Sequence, residues 1–468
     1  MKKLDTKDIV KLFFFLSLIL FSCKNDDNII VDEQSENLVN KEFKCVNCED
    51  SIFIFRINTL GSEIVDEPKI PSSLTVLLGD SIQYAGNIGI EIRGETSQYF
   101  DKKSYGIETW DNNYNDFDFD LAWLPEEEDW ILYGPYSDKS LIRNKIIYEV
   151  SNSIGMYASR TRYVELFINY SYKGLYILME KLKRDENRIN IKKLENGDIE
   201  NELISGGYII KIDKSDMGDG SYSDFNSFNS NYDINGNLDG DKKIIFNYEY
   251  PKPGDINANQ KNYIIDYINE FEKSLSSSNF SDLNNGFRKF IDEKSFIDFF
   301  ILNELSNNVD GYRLSTYLHK ERNEKLKIGP IWDFNLSFGN ADYCGGNQFD
   351  VWTFEFNERC PGDFWLIPFW WKKLLEDEVF VSNLKKRWFE LRSNILSDQS
   401  LENLVNNKFD LLYNKTEAAK RNFIKWEILE NYIWPNSFVG GTYVNEIEFL
   451  KNWIENRTEW LDKEIEKL

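Results

Sequence analysis

Residues 303–339 read NELSNNVDGYRLSTYLHKERNEKLKIGPIWDFNLSFG. The apolar run FIDFFILNEL ends here at a polar knuckle, Ser306-Asn307-Asn308-Val309-Asp310-Gly311. Two strand-like runs follow, RLSTYLHKE and KLKIGPIWDF, parted by the polar turn Arg322-Asn323-Glu324. Paired as a hairpin centred between Glu321 and Arg322, they set Asp310 opposite Asp333 at the open end. Two carboxylates there, with Asn307, Asn308 and Asn335 beside them, suit a general base next to a metal-holding acid. They equally suit a solvated hairpin end whose Asp and Asn side chains make Asx turns.

Composition narrows the chemistry. The chain has 468 residues and a formal charge of −24, which argues against a nucleic-acid backbone as partner. Aromatic residues make up 15%, too many for a disordered chain. The single histidine, His319, excludes multi-histidine metal sites and argues against a Ser-His-Asp hydrolase. Carboxylates, amides, Lys and Arg must carry any reaction.

Outward from the hairpin, the N-terminus reads as a secretion signal over 1–22: Lys2 and Lys3, then the apolar run LFFFLSLILF. It ends at Leu20-Phe21-Ser22-Cys23, which resembles a lipobox with Cys23 as the lipidated residue. Residues 23–48 form a polar tether. Cys45 and Cys48 lack a second pair for zinc, so they read as a local disulfide or free thiols. Cys344 and Cys360 flank one aromatic-rich loop, and we expect a disulfide between them. Residues 51–110 read as strands, with a turn at Gly94-Glu95-Thr96-Ser97 that suits either a phosphate cradle or a plain β-turn. A helix follows over 141–154, then a hairpin over 162–182, an Asp/Ser/Gly/Asn-rich loop over 214–242, and mainly helices to the end. The runs VWTFEF and FWLIPFWW read as packing for a helical lobe or as a carbohydrate or peptide platform.

The hairpin, together with IRGETSQYFDKKSYGIE (92–108), DKSLIRNKIIYEV (138–150), RTRYVELFINYSYKGLYILMEKLKRDENRI (160–189) and GGYIIKID (206–213), resembles the CotH kinase family. The resemblance implies an α+β, protein-kinase-like two-lobe fold. A β-rich N-lobe would span 49–182, and a mainly helical C-lobe 183–468, with the catalytic hairpin at 303–340. It implies ATP as phosphoryl donor, Mg²⁺ or Mn²⁺ as cofactor, and a hydroxyl on a secreted or surface protein or glycan as acceptor. Asp310 would be the catalytic acid–base residue and Asp333 the metal holder. Ser315 stands where kinases carry a metal-binding Asn, so Ser315 or Asn335 would complete the metal set. Arg93, Gly94, Ser97 and Lys103 would meet the phosphates, with Glu149 as acid partner of the strand lysine. The stretch ending at Glu180 and Lys181 would be the hinge against the adenine. The rival reading is a non-catalytic adhesion or glycan-binding lipoprotein on the same fold.

Anchoring has its own test. Cys23→Ala should abolish palmitate incorporation, and unchanged labelling would rule out the lipobox.

Overall fold

The computed structural model describes residues 50–214 and 223–468; Cys23, Cys45, Cys48 and the signal segment lie outside the described residues. Alternation decides the first half. In β1 (Ile52–Asn58) every second residue, Phe53, Phe55 and Ile57, is buried, and β2 (Ile70–Leu78) repeats this with Ser72, Leu74 and Val76. With β3 (Ser81–Arg93), β4 (Ser104–Trp110), β5 (Asp129–Tyr133), β6 (Thr161–Ile168) and β7 (Ser171–Glu180) they form a closed barrel in the order β1-β2-β3-β4-β5-β7-β6. A parallel seam from Ile52↔Tyr163 to Ile57↔Ile168 closes it.

A second sheet carries the site. It contains β8 (Tyr208–Ile212), β9 (Ser227–Asp233), β10 (Lys243–Tyr250), β11 (Thr316–Lys320) and β12 (Lys327–Ile328), in the order β12-β11-β8-β10-β9. One face, with Tyr208, Ile210, Ile212, Phe246 and Leu318, lies in the main core. Helices α1 (Arg143–Ser153), α2 (Ala258–Ser276), α3 (Glu293–Ser306), α4 (Glu378–Arg392), α5 (Asp398–Phe409), α6 (Ala418–Lys425) and α7 (Tyr443–Lys467) supply much of that core, with the aromatic segment from Phe354 to Leu374. Asn257 caps α2 through a reciprocal capping box with Gln260. Asp292 caps α3, which ends at Asn307 in the left-handed conformation that closes helices.

The described β-rich and helical parts cluster into one unit, with a closed barrel where the β-rich lobe was expected. Its main core runs without a break from barrel residues Tyr163, Leu175 and Ile177 to α3. The hairpin pairs Leu318 with Ile328 and His319 with Lys327, so its midpoint is Asn323, not the Glu321–Arg322 bond. Asn323 takes the positive φ (58°) a tight turn requires, and Pro330, without an N–H, follows the end of the ladder. Asp310 and Asp333 therefore do not face each other across strands. Finally, the polar segment 214–242 contains strand β9, whose pattern Phe228, Ser230, Tyr232 is buried at alternate positions but hidden by Ser and Asn.

The expected Cys344–Cys360 disulfide is formed, with Cα atoms 5.7 Å apart. Deeper in, the Glu304 carboxylate accepts from Tyr312 Oη (2.9 Å), from the Thr353 and Phe354 amides (2.7 and 3.0 Å) and from Arg457 Nη2 (3.2 Å). Arg457 also donates to the carbonyls of Glu304, Phe349 and Val351. Both side chains are essentially inaccessible, so each charge depends on the other. Arg457→Met should lower the unfolding free energy by about 3–5 kcal/mol. Lys463→Met, which breaks an exposed pair with Glu459, should cost less than about 1 kcal/mol. Equal losses in denaturant titrations would contradict this assignment.

Candidate active site

Strand alternation turns the other face of the second sheet towards charge. On β8, Tyr208, Ile210 and Ile212 point into the core, so Lys211 points the opposite way and Asp213 follows it at the strand exit. Lys211 pairs in register with Tyr317 on β11 and Asn247 on β10. Its ammonium lies 3.6 Å from Asp213 Oδ2 and 3.5 Å from Glu249 Oε2. The backbone N–H groups of Lys214 and Ser315 donate to the Asp213 carboxylate. Asn247 Nδ2 donates to the Lys214 carbonyl at 2.9 Å.

The two sequence-predicted aspartates meet this strand end. Asp310 leaves the knuckle after α3; its carboxylate accepts from Arg313 Nη2 (2.8 Å) and from Tyr343 Oη (3.5 Å). Asp333 has a positive φ of 63° and is fixed through backbone groups by α1. Its N–H donates to Tyr148 Oη (3.0 Å), and the Phe334 N–H donates to Asn144 Oδ1 (2.7 Å). Arg143, paired with Asp138 at 2.6 Å, donates through Nε to the Ser337 carbonyl (3.0 Å). The Arg-Asn pair of α1 thus holds the Asp-Phe-Asn turn in shape.

Electrostatics show how close these groups are. Asp333 is exposed, yet the protein packed around its carboxyl, then the charges of Asp310 and Asp213, push it up to about 7, against the pull of Arg93 and Lys214. Burial raises Asp310, while Arg313 and Lys214 hold it down. Burial also raises Asp213, opposed by Lys211. Three carboxylates and the cations Arg93, Lys211 and Lys214 therefore share one site. The Arg93 guanidinium lies 5.9 Å from the centre of the Trp332 ring, bringing the barrel rim to this turn.

Other expected residues are placed differently. The Gly94–Ser97 turn borders the site through Glu95, 3.2 Å from Lys214 Nζ. It is folded tightly on itself, since a Cβ at Gly94 (φ 109°) would lie 1.9 Å from Ser97 Oγ. Lys103 does not reach the aspartates; its ammonium donates to the Gln98 and Phe100 carbonyls (2.6 and 2.7 Å). Glu149 pairs with Lys145 and Lys408, not with a strand lysine. The Glu180 carboxylate is buried against Arg160 at 2.7 Å, and Lys181 pairs with Asp129 at 3.0 Å. The Glu180 N–H and carbonyl bond Arg160 and Ser159, leaving the expected hinge no free backbone group at that residue. Ser315 supplies its peptide N–H to Asp213, and the half-buried Asn335 accepts through its carbonyl from Asn340. Lys211, Asp213, Lys214 and Arg313 were not singled out from sequence. The alternation in YIIKID was the available signal for the first two.

A divalent cation fits the donor chemistry. Among the described residues, no trio of acids at this site brings its oxygens within 4.8 Å, so there is no closed cage. Mg²⁺ commonly takes one or two carboxylates and completes its octahedron with phosphate oxygens and water, which suits Asp333 and Asp213. The tighter trio, Glu127, Glu128 and Asp129, is already filled by Lys183 Nζ at 2.5, 2.6 and 3.0 Å.

Comparison with known proteins adds one finding. Residues 90–461 match the family model described as CotH kinase protein. No curated protein matches the chain.

The raised Asp333 carboxyl makes a signed prediction. Its folded value of about 7 exceeds the unfolded value of about 3.9, so its contribution to stability is fully present below about pH 4 and lost as pH rises through 7. In chelator-treated buffer, Asp333→Asn should raise the melting temperature by roughly 1–3 °C at pH 8 and leave it nearly unchanged at pH 4.5. A stabilisation of equal size at both values would show that charge crowding is not the cause.

Proposed function

The chain belongs to the CotH kinase family, and from that premise we propose that it transfers the γ-phosphoryl group of ATP to a hydroxyl. The observation that carries this reading is the gathering of Asp310, Asp333 and Asp213 with Arg93, Lys211 and Lys214 around the end of β8. Phosphoryl transfer asks a protein chiefly to position charge, and this arrangement offers both signs at once.

Asp310 orients the acceptor hydroxyl and takes its proton as the oxygen attacks phosphorus. The new O–P bond forms while the bond to the bridging oxygen of ADP breaks, and ADP leaves with that electron pair. Arg313, on Oδ1 of Asp310, fixes the carboxylate's direction. Asp333 and Asp213 would hold Mg²⁺ or Mn²⁺, which would neutralise charge on the phosphates. Lys211, kept in place by Glu249, takes the phosphate-binding part that the sequence reading gave to Lys103. Lys214 and Arg93 add cationic donors. Half-buried Trp332, Tyr157 and Tyr250, packed on Leu182, Ile189 and Tyr317, offer the nucleobase an apolar wall. On this reading the protein is exported and held by a lipid on Cys23 at the outer membrane or cell surface, as residues 1–23 suggest.

Calorimetry with MgATP beside a phosphate-transfer assay separates the roles. Asp333→Asn and Lys211→Met should weaken nucleotide binding as well as turnover. Asp310→Asn should bind MgATP nearly as wild type while transfer falls by at least about a hundredfold. Lys103→Met should leave nucleotide affinity unchanged. A wild-type protein that binds no nucleotide under either metal would end the kinase reading and leave the non-catalytic adhesion or glycan-binding reading.

A further inference from the structure

A groove of about 680 Å³ lies beside Asp310, floored by the β8–β10 sheet and walled by residues 361–366. Arg313 ties that wall to the aspartate: Nη1 lies 3.3 Å from Asp363 Oδ1 and 3.2 Å from the Trp365 carbonyl, while Nη2 donates to Asp310. Of the FWLIPFWW run, Leu366 to Trp371 is buried, whereas Phe364 stands 66% exposed at the groove and Trp365 is half-buried beside it. Tyr343, whose hydroxyl donates to Asp310, lies parallel to Trp434, which is 49% exposed, at 6.2 Å and 5°. Two aromatic surfaces are therefore tied to Asp310, one through Arg313 and one through Tyr343.

Resting on the kinase reading, we infer that the acceptor is a neutral carbohydrate chain, with sugar rings laid on Phe364–Trp365 and Trp434 and one hydroxyl delivered to Asp310. Aromatic faces, electron-rich at their centres, pack against the C–H faces of sugars, and carboxylates and carbonyls at the rim accept from their hydroxyls. Charge agrees. Asp213, Asp241 and Asp363 line the groove, while Arg313 is paired, Lys243 lies 3.6 Å from Asp239, and Lys242 is turned to the Pro361 carbonyl. Asp213 and Asp363 are paired in turn, with Lys211 and Arg313, so the three acids and three bases of the lining balance and offer an acidic acceptor no net attraction. A peptide added as a further strand finds no open edge, because β9 is buried at five of its seven positions and β12 has only two residues. In the reaction the sugar O–H gives its proton to Asp310, its oxygen bonds to the γ-phosphorus, and ADP departs.

The test titrates the purified protein, without nucleotide, with cellohexaose, xylohexaose, mannohexaose and maltohexaose, reading tryptophan fluorescence. At least one should bind with a Kd below about 1 mM. Phe364→Ala and Trp434→Ala should each weaken that binding about tenfold, the size of one lost aromatic face. Tyr170→Ala, which removes an exposed aromatic from a distant barrel turn, should not change it. With MgATP the bound oligosaccharide should gain one phosphate by mass. MgATP binding without binding of any oligosaccharide overturns the carbohydrate assignment and leaves the kinase reading standing. Phosphorylation of Ser/Thr peptides in place of the sugars, lost in Phe364→Ala, assigns the groove to peptides and also overturns it. Sugar binding without nucleotide binding sinks the kinase reading instead, and with it the proposed transfer.

Discussion

The Glu304 carboxylate is the constraint on which the site depends. It stands on the last turn of α3, inaccessible to water, and its oxygens meet Tyr312 Oη, two backbone amides and the Arg457 guanidinium. Tyr312 is two residues beyond Asp310, the amides belong to the stretch between the paired cysteines, and Arg457 belongs to the last helix. One buried charge thus fixes three remote pieces of chain around the knuckle that carries Asp310. Such a charge is costly to bury, and the cost is offset only when every acceptor site is used, as here. Specific placement, not extra stability, is what this arrangement supplies.

A second constraint comes from the pleat of the second sheet. Because neighbouring side chains on a strand point to opposite faces, burying Tyr208, Ile210 and Ile212 against helices turns Lys211 and Asp213 away from them. The paired strands then add Tyr317 and Asn247 in the same row. The active face needs no special backbone beyond the loops at its end. There Asp333, Tyr312 and Ser315 all take positive φ, a concentration of uncommon backbone that marks functional turns.

Much of this was readable in the chain. The polar knuckle after an apolar helix and the Trp-Asp-Phe-Asn turn after a strand located both aspartates, and the paired cysteines found each other. Helical periodicity placed α2, α3 and the C-terminal helices. Lys211, on a short buried strand, carries no motif of its own, whereas the order of kinase elements points to Lys103. Lys103 fits that order, but its ammonium is satisfied by two local carbonyls, a fact that only coordinates reveal. The turn Arg322-Asn323-Glu324 was legible, but its pairing was centred between Glu321 and Arg322, whereas the chain turns about Asn323, which takes the left-handed φ. Barrel closure was illegible for a different reason. It depends on a parallel pairing between strands more than a hundred residues apart, and no local pattern encodes that.

That seam has a consequence for where this fold begins. The family match starts at residue 90, inside β3, so β1 and β2 lie upstream of it although they complete the barrel. A chain trimmed to the matched region would leave β6 and the remainder of β3 as raw sheet edges, with Val164, Leu166 and Ile90 stripped of their strand partners. Unpaired edges of that kind recruit other chains. Because the seam joins distant segments, it also belongs to the slow, non-local part of folding. Strand β1 is therefore the latch of the barrel: made before β6, engaged with it only once β6 exists, and leaving that edge open to association until then.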